Sequence, residues 1–94
     1  MVRYTREAER DLERIAAYTD ESWGAAQRDA YLDLLEDTCE TIVPSRLHLA
    51  REDPAFPGIL RWRVERHVVY FRRIRGGIEI IRIVHARMLP SRHL

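Results

Sequence analysis

Ile78-Glu79-Ile80-Ile81-Arg82-Ile83-Val84-His85 decides the fold. The stretch is almost continuously apolar, rich in β-branched residues and preceded by Gly76-Gly77. Strict alternation puts Ile78, Ile80 and Val84 on one side of a strand, and Ile81 and Ile83 on the other. Apolar side chains on both faces suit a central strand. Such a strand needs a partner on each edge and a covering layer on at least one face.

The segments just upstream supply partners. His67–Ile74 reads as a strand, with Val69 and Phe71 on one face and Val68 and Tyr70 on the other. Arg75-Gly76-Gly77 is the hairpin turn, where glycine tolerates the positive φ such turns require. Leu60, Trp62 and Val64 alternate with Arg61, Arg63 and Glu65, a half-buried strand ending at the turn Glu65-Arg66. Trp62 and Tyr70 read as core. Residues 43–58, with Pro44, Pro54, Pro57 and Gly58, read as a loop tacked down by Leu47 and Leu49.

The covering layer lies further upstream. Val2 and Tyr4 suggest a short strand, and Thr5 is a helix N-cap with Glu7 and Glu9 behind it. Ala8, Leu12, Ile15 and Ala16 then recur at helical spacing, giving a helix over 6–21 closed by Tyr18 and Trp23 and broken by Gly24. A second helix runs over 25–42, with Tyr31, Leu34, Leu35 and Ile42 in its stripe, and Pro44 stops it. The order is β-α-α-β-β-β, an α+β fold: one domain over 1–94, with a helical hairpin packed on a mainly antiparallel sheet. The N-terminal strand is expected beside the last strand.

At 94 residues the chain buries roughly 60–65% of its unfolded surface, enough for one small core. No run approaches a membrane span, and the N-terminus lacks a signal peptide's apolar run, so a cytoplasmic protein is expected. The single Cys39 cannot form an intrachain disulfide and reads as a small buried side chain. Charge divides along the chain. Residues 1–45 carry five Arg against eleven acids, and residues 46–94 carry eleven Arg against four. A basic half suggests a polyanion or an acidic protein segment as partner, unless the two halves neutralise each other across the fold.

Chemistry for an enzyme is sparse. There is no Gly-rich phosphate loop, no cysteine pair and no His-x-x-x-His. His48, His67, His85 and His93 are scattered, so neither a metal nor a cofactor is expected. His67 and His85 sit at strand ends, where backbone hydrogen bonds are expected. Metal-free RNA cleavage needs a cation plus proton-transfer groups. Arg61, Arg63, Arg72, Arg82 and Arg87, with His85 or His93, permit it by residue type alone. The tail after His85 has no aromatic for stacking bases. It either folds back over a sheet edge or docks a partner.

Ala8, Asp11-Leu12, Ile15, Tyr18, Trp23-Gly24, Gln27, Tyr31, His67-Val68-Val69-Tyr70, Ile80-Ile81-Arg82-Ile83-Val84-His85-Ala86-Arg87-Met88 and Arg92-His93-Leu94 together resemble the ParE toxins of the RelE/ParE superfamily. The resemblance implies the same β-α-α-β-β-β plan across a single toxin domain. It also implies a non-enzymatic bacterial toxin of a type II toxin–antitoxin pair, which poisons DNA gyrase and is neutralised by a ParD-like antitoxin. The alternative is the ribosome-dependent mRNA cleavage of the RelE branch. Against it, the chain has no Lys, and its tail has no Tyr for in-line attack. On this reading Arg82, His85, Arg87, Met88, Arg92 and His93 contact the target. An amphipathic antitoxin helix would need an apolar groove, expected beside the hairpin near Leu12, Ile15, Trp23, Tyr31 and Leu35, with Arg61 and Arg63 meeting antitoxin acids. Sequence-specific nucleic-acid binding is not expected.

Overall fold

A computed structural model describes residues 1–88. Strand β1 (Val2–Tyr4) leads into helix α1 (Arg6–Trp23) and helix α2 (Ala25–Asp37). A π-helical turn (Thr38–Ile42), a short α3 (Val43–Ser45) and a 3₁₀ turn (Leu47–Leu49) continue the chain. Strands β2 (Arg51–Glu52), β3 (Leu60–Val64), β4 (His67–Ile74) and β5 (Gly77–His85) complete it. The sheet order is β1-β5-β4-β3-β2. Among the described residues, only the β1–β5 pairing is parallel. The expected α+β plan is present, with β1 beside β5 as the packing of β5 required.

Helix α1 starts where Thr5 accepts the Ala8 N–H at 3.0 Å, while the same hydroxyl donates to Ile81 O at 2.7 Å. One residue thus caps the helix and ties it to the strand edge. Gly24, at φ +90°, turns the chain between α1 and α2. Gly77 lets β1 lie beside β5, because a Cβ there would sit 1.8 Å from Met1 O. Leu35, Cys39, Val43, Val69, Phe71 and Ile80 are among the side chains fully enclosed between helices and sheet.

Four expectations are corrected. The register of β4 on β5 shifts between Tyr70/Phe71, so that Tyr70 faces Arg82 and Phe71 faces Ile80. Ile81 is the extra residue of a bulge. Alternation restarts after it, so Ile83 joins Ile78 and Ile80 in the core, and Val84, though buried, lies outside that cluster. Pro44 does not stop the second helix; the chain stays helical to Ser45. The wider π turn ends at Ile42, two residues before Pro44, which has no N–H to give the helix ladder. The connector is not all loop: Arg51–Glu52 pairs with β3 as an edge strand. Leu47 packs on the core, whereas Leu49 is exposed.

Candidate functional site

The hinge end of the helical hairpin meets the β3–β4 turn in a groove of about 640 Å³. Tyr18, Trp23, Tyr31, Leu34, Arg66 and His67 form most of its wall. Trp23 is the last residue of α1, directly before the hinge at Gly24. It is 62% exposed, Tyr18 is 66% exposed and Leu34 is 37% exposed. The Arg66 guanidinium lies over the Trp23 ring, 5.8 Å from its centroid.

The floor of the groove is polar and preorganised. The Tyr31 hydroxyl lies 2.6 Å from His67 Nδ1. His67 and His85 are cross-strand partners, their rings edge to face at 5.5 Å. Burial, then the neighbouring His85 and Arg66, push the His67 imidazole down to about 4, so it is neutral near pH 7. His67 thus hydrogen-bonds a side chain rather than the backbone expected for it. His85 does bond the backbone, its Nδ1 accepting the Arg87 N–H at 3.2 Å. At the lip, Glu65 adopts φ +51°, a left-handed conformation that costs a non-glycine residue about 1–2 kcal/mol.

The opposite face of the sheet carries a second groove of about 760 Å³, bordered by Leu49, Arg51, Arg61, Arg63, Arg87 and Met88. Arg61 and Arg63 point outward between the core residues Leu60 and Val64.

The residues proposed from sequence are therefore split. Leu35 is fully buried and Ile15 is 8% exposed, so packing against the sheet already occupies both. Leu12 is half-buried against the same core. Only Trp23 and Tyr31 line the aromatic groove, while Arg61 and Arg63 lie across the sheet from it. Of the residues expected to meet a target, His85 borders the aromatic groove, whereas Arg87 and Met88 border the outer one. Arg82 is held by Asp11 on α1, through Nε to Oδ2 at 2.8 Å and Nη2 to Oδ1 at 2.9 Å. With its side chain 17% exposed, Arg82 is a tie between helix and sheet. Arg92 and His93 lie outside the described residues.

Sequence reasoning missed Tyr18, Leu34 and Arg66 as groove residues and Asp11 as a structural anchor. Tyr18 and Leu34 carried a signal, since each sits at the margin of its helix's apolar stripe. Asp11 carried none beyond its place in the motif. Among the described residues, no three His, Cys, Asp or Glu come together to hold a metal. No helix among them is long and apolar enough to cross a membrane.

Comparison with known proteins agrees with this fold. Residues 2–90 match the family described as ParE toxin of type II toxin-antitoxin system, parDE. The chain is 32% identical over 92 residues to Toxin ParE1 of Caulobacter vibrioides, covering 98% of this chain and 95% of that protein. It is 33% identical over 85 residues to Toxin ParE of Escherichia coli, covering 89% and 82%. A solved structure titled "Chromosomal ParDE TA system from P. aeruginosa" shares the fold, with a TM-score of 0.71 at 19% identity over 89% of this chain and 92% of that one. A β-α-α-β-β-β chain that matches this family along nearly its whole length belongs to the ParE toxins of type II toxin–antitoxin systems.

Proposed function

We propose that this toxin acts in the cytoplasm by binding DNA gyrase, trapping its cleaved-DNA state without itself catalysing a reaction, and that a ParD-like antitoxin neutralises it by covering the aromatic groove. The observation that supports the antitoxin part is the exposure of Tyr18, Trp23 and Leu34 around one groove. Large aromatic side chains left in water at the margin of a concave site are typical anchors for a partner helix. With Leu35 and Ile15 committed to the core, these three residues supply the apolar contact assigned earlier to the deeper set.

Two measurements test the reading. Purified toxin incubated with gyrase and supercoiled plasmid should inhibit supercoiling and accumulate cleaved DNA; no effect at any toxin excess sinks gyrase as the target. Titration against the paired antitoxin should show Trp23→Ala and Tyr18→Ala each weakening binding by about tenfold or more, corresponding to ~1.4 kcal/mol or more. Unchanged affinity in both variants would remove the groove from the antitoxin interface.

A further inference from the structure

The sheet face turned away from α1 and α2 carries an unusual charge arrangement. Register places Arg3, Arg51, Arg61, Arg63 and Arg72 on it, drawn from β1, β2, β3 and β4. Glu79 of β5 is the acid that register sets among them. It is already engaged, at 3.2 Å by Arg3 Nε and 2.8 Å by Arg72 Nη2. Arg61 reaches Asp53 only at 3.8 Å. Arg51 stands directly opposite Arg61 across the β2–β3 ladder. Like charges in that position destabilise a sheet, and a bound polyanion would relieve the repulsion.

We infer that this face contacts the phosphate backbone of duplex DNA without reading its sequence. The inference deepens the gyrase reading, with the DNA held by gyrase as the partner, and it rests on that reading only for the site of action. Three observations favour DNA over an acidic helix. Arg51 and Arg3 lie on the outermost strands, four strand spacings or about 19 Å apart. A single helix is only about 10–12 Å wide and would leave one side unpaired. Every cation of the face is Arg, whose planar fork matches phosphate in two-point contacts. Tyr70, the aromatic that register sets on the face, is only 2% exposed, and Trp62, which also borders the groove there, is half-buried against the core. That leaves no platform for stacking single-stranded bases among the described residues of the face. The partner surface is therefore a backbone, not splayed bases.

The test is fluorescence anisotropy of a labelled 20-base-pair duplex titrated with the full chain. Affinity should fall about 100-fold between 50 and 200 mM salt, as expected for about four phosphate contacts, and should be the same for a scrambled duplex. Arg51→Glu should weaken binding about tenfold and flatten the salt slope, while the melting temperature holds or rises because an opposite-charge pair replaces Arg51–Arg61. Arg63→Glu should weaken binding similarly. Unchanged affinity in both variants overturns the inference. So does a Glu-rich amphipathic 20-residue peptide that binds tighter than the duplex at equal salt and is lost in the same variants. A gyrase assay alongside separates the two readings. DNA binding without gyrase poisoning sinks the gyrase target alone, and poisoning without DNA binding sinks this inference alone.

Discussion

Asp11 shows how much one side chain can hold. Beyond Ile80, β1 no longer pairs with β5, and the Ile83 N–H would face an empty edge. Asp11 Oδ2 accepts it at 2.9 Å, while Arg82 and Arg14 bind the same carboxylate. Burial alone would raise the Asp11 pKa. The hydrogen bonds from Arg82, Ile83 and Arg14 outweigh burial and hold it below the usual carboxylate range. A depressed carboxylate stabilises the fold fully above its unfolded value near ~4, and that stability is lost as pH falls through the folded value. Asp11→Asn should cost about 3 kcal/mol at pH 7 by urea denaturation, because the part-buried Arg82 loses the Asp11 carboxylate. The deficit should shrink below about pH 4. His67 acts in a higher window. Its folded value of about 4 lies below the 6.5 of a free imidazole, so the unfolded chain takes up the proton first. Stability is complete above 6.5 and falls as pH drops from 6.5 towards about 4. His67→Asn, which keeps an acceptor for Tyr31, should flatten thermal stability across that window while wild type declines.

Among the elements, β5 carries the most instruction, and its bulge is where reading by alternation failed. A period of two is reliable only while the ladder is regular, and one inserted residue reverses every later face. Nothing in Ile80-Ile81-Arg82-Ile83 marks Ile81 as extra, since all positions except Arg82 are apolar. The glycines were legible for their turn but not for their second duty. Gly76 turns the hairpin at φ +82°, while Gly77 admits the backbone of Met1, which donates to Gly76 O and accepts from Ile78 N–H. Gly77→Ala should displace β1 and cost about 2 kcal/mol. Amide exchange at Ile78 and Thr5 should rise before exchange at β4, and equal protection in variant and wild type would contradict the close approach.

Across the whole molecule, the helices cover one face of the sheet, and how fully each of their side chains reaches it decides which apolar residues are free. Leu35→Ala should cost about 3 kcal/mol, because a fully enclosed side chain leaves a cavity. Trp23→Ala should change stability by only about 0.5 kcal/mol, since most of the ring is already in water. Chemical denaturation of the pair checks this, and a large loss for Trp23→Ala would place the ring in the core. From sequence the two residues look alike, each an apolar position in one hairpin.

The sequence by itself determined the coarse β-α-α-β-β-β plan, the central place of β5, the position of β1 beside it, the Thr5 cap and, through its motifs, the resemblance to the family. The fold features follow from local patterning: periods of two and 3.6, a capping hydroxyl, and glycine and proline at turns. Tertiary structure alone decided which apolar residues stay open as a groove, that Asp11 and Arg82 form a structural tie, that His67 meets Tyr31, and that Arg61 and Arg63 stand across the sheet from Trp23. Each depends on contacts between segments far apart in the chain, and hydrophobicity, being non-directional, does not say which apolar face finds a neighbour.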